Sequence, residues 1–170
     1  MTYDALRTGR ASLPGHAYVV TTVTARRVPW FGNLTTARAM IREMQRLEEE
    51  GMIVSLAWVL MPDHLHWLIQ LSTSSQKEST MPDSVVDGRI APNLSTIMRL
   101  FKGRSARVVN QILHRHGPIW QRAFYDRAVR EHEDLQRIAR YLAENPLRAG
   151  LADSLADYPH WDAVWINEFM

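Results

Sequence analysis

The most constraining feature of the chain is a pair of apolar runs separated by a short break. "MIVSLAWVL" spans Met52 to Leu60, "HLHWLIQL" spans His64 to Leu71, and Pro62-Asp63 lies between them. Both runs are too short to cross a bilayer as helices and are rich in β-branched, aromatic and other apolar residues, so they read as strands. Proline and aspartate at the break favour a tight turn. The two strands therefore form an antiparallel hairpin, around which any fold must be built. Side chains on a strand alternate faces, so His64 and His66 share one face while Leu65 and Trp67 share the other. Two imidazoles on one face are either a metal clamp or ordinary packing.

The rest of the chain supplies partners for that hairpin. "AYVVTTVT", Ala17 to Thr24, is a β-branched strand. Thr35 to Glu50 places Ala39, Met40, Met44 and Leu47 at helical spacing, and Gly51 ends that helix. Ser72 to Asn93 is polar and aperiodic and reads as a mobile loop. Asn93 caps a helix to about His114, with Leu94, Ile97, Met98, Phe101, Val108, Val109 and Ile112 on its apolar face. "AFYDRAVR" reads as a fourth strand, and a last helix runs from about His132 to Ala143, stopped by Pro146. The aromatic tail, residues 152–170, packs back on the body. The order is β-α-β-β-α-β followed by a helix, an α+β class with a ferredoxin-like antiparallel sheet in which the first and third strands are central. A length of 170 residues suits one domain, with a core over 13–151 and the mobile loop at 72–93.

Composition narrows the setting. Cysteine is absent, which removes disulfides and thiolate metal sites and fits the cytoplasm. No stretch is long and apolar enough for a membrane span, and the N-terminus has no signal-peptide core. Net charge is only +2, but its distribution is uneven. Between residues 99 and 130 lie Arg99, Lys102, Arg104, Arg107, Arg115, Arg122, Arg127 and Arg130, against Asp126 alone. Such a basic region is either an electrostatic footprint for nucleic acid or a solvated face.

In the last helix "RYLAENPLRAG" spaces Tyr141 and Asn145 one turn apart, on one face. A phenol beside a metal-binding amide can act as a nucleophile on phosphorus if a nearby cation favours phenolate. The ligand set of His64, His66 and Asn145 is neutral, so a substrate phosphate would complete the shell of a divalent ion. Asp63 falls at the turn and on the opposite face, and is set aside as a ligand. "HRH" at His114 and His116 lies near a helix end and reads as dipole complement.

Three blocks together resemble a family. "MPDHLHWLI" is similar to the histidine-hydrophobe-histidine (HUH) motif of single-tyrosine transposases. "WQRAFYDRAVR" resembles the block before their last helix, and "IARYLAENPLRAGL" the segment with their catalytic tyrosine. The combination, over about Leu13 to Trp165, resembles the REP-associated tyrosine transposases. The resemblance implies Tyr141 as the nucleophile, forming a 5′-phosphotyrosine on single-stranded DNA. It implies His64, His66 and Asn145 as ligands of Mg²⁺ or Mn²⁺, and hairpins of repetitive extragenic palindromes as substrates. Arg99, Lys102, Arg104 and Arg107 become candidates for DNA contact, with Arg122, Arg127 and Arg130 of the basic region beside them. Tyr125 takes a supporting role, and a monomer is favoured over a homodimer. The "LPGHAYVVTTV" segment matches the family's Gly-Thr-Ser-like motif only loosely. The alternative is a non-catalytic nucleic-acid-binding module of the same fold, with Tyr18 and Trp67 as stacking platforms.

Overall fold

The structure is a computed structural model that describes residues 12–73 and 93–168. The segment read as a mobile loop falls almost wholly outside the described residues. The ordered elements are β1 (Ala17–Val23), α1 (Leu34–Glu49), β2 (Ile53–Met61), β3 (His64–Leu71), α2 (Leu94–Ile112), β4 (Tyr125–Ala128), α3 (Leu135–Ala143), a single turn α4 (Asn145–Arg148) and β5 (Trp161–Ala163). The strands form one antiparallel sheet in the order β4-β1-β3-β2-β5. The first four follow the ferredoxin-like order. The fifth strand, not foreseen in the sequence, comes from the aromatic tail and pairs with β2, so that β3 becomes the middle of five.

Helices α1 and α2 cover one face. Asn33 caps α1 by accepting from the Thr35 and Thr36 N–H groups. Gly51 follows in the left-handed region at φ 69°, where a residue with Cβ is strained. The buried stripe of α1 is Met40, Met44 and Leu47, and that of α2 is Leu94, Ile97, Met98, Phe101 and Val109. Both pack on Tyr18, Val20, Leu65, Trp67 and Ile69 of the sheet. Tyr18 and Trp67 are therefore core residues, 5% and 0% exposed, and cannot serve as stacking platforms for bases. The indole N–H of Trp67 donates to Ser55 Oγ at 2.9 Å, so its burial leaves no orphan donor.

The other face is covered by α3. Its Ala139, Leu142 and Ala143 pack on Leu56, Ala57, Leu68 and Ala163. A register shift between Ser55 and Ala57 inserts an extra residue in β2. The bulge puts Leu56 and Ala57 toward α3 while Ile53 and Leu60 still face the α1 and α2 side. Tyr158 of the tail donates to the Leu60 carbonyl at 2.8 Å and holds β5 against β2.

Candidate functional site

β3 alternates as its sequence requires. Leu65, Trp67 and Ile69 enter the α1/α2 core. Leu68 joins the α3 core, and His64 and His66 share its parity. The two imidazoles thus rise from the central strand on the face covered by α3. Their rings lie 4.8 Å apart, edge to face.

Each imidazole is held by its Nδ1. Thr21 on the neighbouring β1 places its hydroxyl 2.8 Å from His66 Nδ1. Asp63 Oδ1 lies 2.5 Å from His64 Nδ1, and Asp63 Oδ2 accepts from Arg27 at 3.0 Å. This corrects the reading that the turn carries Asp63 away from the histidines. The carboxylate reaches back over the turn and orients the first of them. Holding both Nδ1 atoms leaves both Nε2 atoms as the groups available for a ligand, the pattern by which outer carboxylates and hydroxyls fix metal-binding histidines. Burial works to raise the Asp63 pKa, but the His64 bond and charge together with Arg27 outweigh it, and the carboxyl is held below its usual range. His66 is pushed down to about 4, first by burial, then by the charges of His64 and Arg148. It is therefore a neutral imidazole near neutral pH, the form that donates to metals.

Arg27 reaches Asp63 from an unusual backbone. Arg26 and Arg27 both lie in the left-handed region, at φ 58° and 54°. Flanking bonds fix this stretch: the Thr24 N–H donates to the Asp63 carbonyl and the Ala25 N–H to the Ile119 carbonyl, both at 2.8 Å.

Tyr141 and Asn145 do not share one unbroken helix as their spacing suggests. α3 ends at Ala143, Glu144 is its cap, and Asn145 opens α4. Pro146 has no N–H for the Leu142 carbonyl four residues back. The Asn145 side chain supplies that donor instead, Nδ2 to Leu142 O at 2.8 Å. Committing Nδ2 in this way leaves Oδ1 as the free end of the amide. Tyr141 is 61% exposed. Arg148, which sequence reasoning missed, stands with its guanidinium carbon 4.0 Å over the Tyr141 ring centroid. Its signal was available in "ENPLRAG", seven residues on from the tyrosine, two helical turns along the same side.

A divalent cation suits this donor set. Two imidazoles with anchored Nδ1 atoms are ligands for a borderline metal, and an amide oxygen adds a harder donor. Among the described residues no three His, Cys, Asp or Glu side chains group as a metal site, so a third protein ligand would have to be of another kind, such as the amide.

The basic residues divide into two sets. Lys102 donates to the Gln121, Arg122 and Ala123 carbonyls at 2.5, 2.9 and 3.0 Å, and burial lowers its pKa to about 8. Its three donors are spent on the backbone leading to β4, so it is not free for phosphate in this conformation. Arg104 bridges to both Glu50 oxygens at 2.9 and 2.7 Å and ties α2 to the end of α1. Arg127 does the same with Glu133, at 2.7 Å to each oxygen. Arg115 lies over the Trp30 ring, at 4.5 Å. Arg99, Arg107, Arg122 and Arg130 are exposed and form no ion pair among the described residues. Arg99, Lys102, Arg122 and the 70% exposed Tyr125 line a cleft of about 1080 Å³ beside α2. His114 and His116 lie apart from the site, both exposed.

A ferredoxin-like antiparallel sheet with paired histidines on its central strand and a tyrosine-bearing helix on the same face is the arrangement that the sequence led one to expect. The comparisons point the same way: the chain is similar in sequence and in fold to REP-associated tyrosine transposases. It is 26% identical over 106 residues to a protein of Haemophilus influenzae provisionally named a REP-associated tyrosine transposase, covering 62% of this chain and 56% of that one. It is 25% identical over 129 residues to the REP-associated tyrosine transposase of Escherichia coli K12, covering 74% and 64%. The chain thus spans less than two thirds of the length of these relatives. The solved structure of a REP-associated tyrosine transposase bound to a REP hairpin superposes with a TM-score of 0.66 at 19% identity, over 89% of this chain and 79% of that one, and shows the fold. No protein-family model matches the chain.

Proposed function

We propose that this protein is a DNA transposase-type enzyme that nicks and joins single-stranded DNA at REP-like hairpins through a covalent tyrosine intermediate. The observation that carries the reading is the pair of half-buried imidazoles on β3. Their Nδ1 atoms are held by Asp63 and Thr21, and they share the sheet face that α3, with its exposed tyrosine, covers. The similarity to REP-associated tyrosine transposases supports the same activity and supplies the substrate class. His64, His66 and Asn145 would hold Mn²⁺ or Mg²⁺, which supplies Lewis-acid polarisation of the phosphate when bound.

The chain's own groups do the rest. Tyr141 Oη attacks the phosphorus of a phosphodiester, and the bond from phosphorus to the 3′ oxygen breaks. The phenol proton is lost, the departing oxygen gains one, and the products are a 5′-phosphotyrosine and a free 3′-hydroxyl. Arg99, Arg107, Arg122 and Arg130 contact the backbone and position the DNA without reading its sequence. Lys102, Arg104 and Arg127 act on DNA indirectly, by holding the basic surface in place. The enzyme works as a monomer, as the resemblance implies.

The test is a denaturing gel after incubation with end-labelled hairpin DNA and Mn²⁺. A slow covalent protein–DNA species is expected, and Tyr141→Phe should abolish it. Cleavage without an adduct, or cleavage that survives Tyr141→Phe, overturns the assignment. Hairpin binding with no cleavage under any divalent ion favours the non-catalytic binding module.

A further inference from the structure

An exposed tyrosine has few neighbours to fix its ring, yet a nucleophile must be held near its line of attack. Around Tyr141 the described residues supply one such restraint. The Arg148 guanidinium carbon stands over the ring, 4.0 Å from its centroid. It is anchored from two other directions. One terminal nitrogen donates to Glu144 Oε2 at 3.3 Å, and the other donates to the carbonyl of Tyr141 itself. The helix break created by Pro146 frees carbonyls at the end of α3, and Arg148 takes one of them while Asn145 takes the next. The same side chain thus closes the backbone of Tyr141 and covers its ring. Its charge is also felt at His66, which puts it on the histidine side of the helix.

We infer that Arg148 is a positioning residue for Tyr141, clamping the phenol ring between a stacked guanidinium and the capped end of α3 before DNA arrives. This inference rests on Tyr141 being the nucleophile. A planar guanidinium is required, because a lysine ammonium offers the charge without the flat face or the paired donors. Stacking of a cation on a tyrosine face is itself favourable at an exposed site.

The experiment compares wild type with Arg148→Lys and Arg148→Gln, each checked for an unchanged thermal midpoint. Ring-labelled tyrosine NMR of the DNA-free protein, with Tyr141 assigned by its loss in Tyr141→Phe, reads the clamp directly. In both variants the Tyr141 ring signals should move toward those of a free tyrosine. Single-turnover formation of the covalent adduct on hairpin DNA should slow by about 10- to 100-fold. The hairpin Kd should change less than about threefold, as expected when no phosphate contact is lost. Unmoved ring signals overturn the clamp. So does a weakened Kd with an unchanged rate, which would make Arg148 a DNA contact. If wild type forms no adduct on any hairpin, the nucleophile assignment fails, and the NMR comparison still decides whether the ring is clamped.

Discussion

Lowering the pH should destabilise this protein through His66. Burial under α3, with His64 and Arg148 nearby, pushes the imidazole down from 6.5 to about 4. In the unfolded chain the ring takes up a proton near its ordinary pKa, but in the folded chain it does not until about pH 4. The unfolded state therefore binds more protons across this window, and stability falls as pH falls. Above pH 6.5 the group contributes nothing to the pH dependence. Between 6.5 and 4 each pH unit removes about 1.4 kcal/mol, to a limit of ~3 kcal/mol. His66 retains some solvent exposure, and screening makes about 2 kcal/mol the working figure. The assay is urea unfolding followed by tryptophan fluorescence, in chelator, at steps from pH 7 to about pH 4.5. Wild type is compared with His66→Gln, which keeps a polar group for Thr21 but cannot titrate. Wild type should lose about 2 kcal/mol more than the variant over that span. Equal slopes for the two proteins would refute the reasoning and show that the ring is better solvated than its setting implies.

Other expectations follow from the same contacts. Asp63→Ala should weaken Mn²⁺ binding by calorimetry about 10- to 100-fold through loss of the His64 anchor while leaving the fold intact; undiminished affinity would show that Asp63 does not orient the ligand. Lys102→Met should lower stability by about 1–3 kcal/mol in thermal or urea unfolding, because three carbonyls lose one shared donor. Arg99→Ala should reduce the slope of log K against log salt for hairpin binding by about one, since it removes one phosphate contact, whereas an unchanged slope would place the DNA elsewhere.

The sequence by itself determined the four-strand core of the sheet and which side chains share a face of β3. The hairpin follows from two apolar runs split by Pro62-Asp63, the faces of β3 from its period of two, and the buried stripes of α1 and α2 from helical spacing. These are local signals, and local geometry carries them without help from distant residues. The three blocks around His64, Trp120 and Tyr141 likewise marked a resemblance that the sequence comparisons share.

Tertiary structure decided what those side chains are free to do. Charge counting marked Lys102, Arg104 and Arg127 as candidates for DNA contact, but Lys102 and Arg104 are engaged by segments distant in sequence and Arg127 by Glu133, six residues on. Glu50 comes from the end of α1, more than 50 residues before Arg104. A bulge at Leu56 and a strand from the tail reshaped the sheet for reasons no period reveals. Pro146 reads as a helix stop, yet the released carbonyls are recaptured by Asn145 and Arg148, and the helix resumes for one turn. Asp63 leaves its strand face because a turn residue's side chain is not bound to strand alternation. Periodicity fixes which way a side chain leaves the backbone, whereas its hydrogen-bond and charge partners are set by turns, helix breaks and the other segments that folding brings within reach.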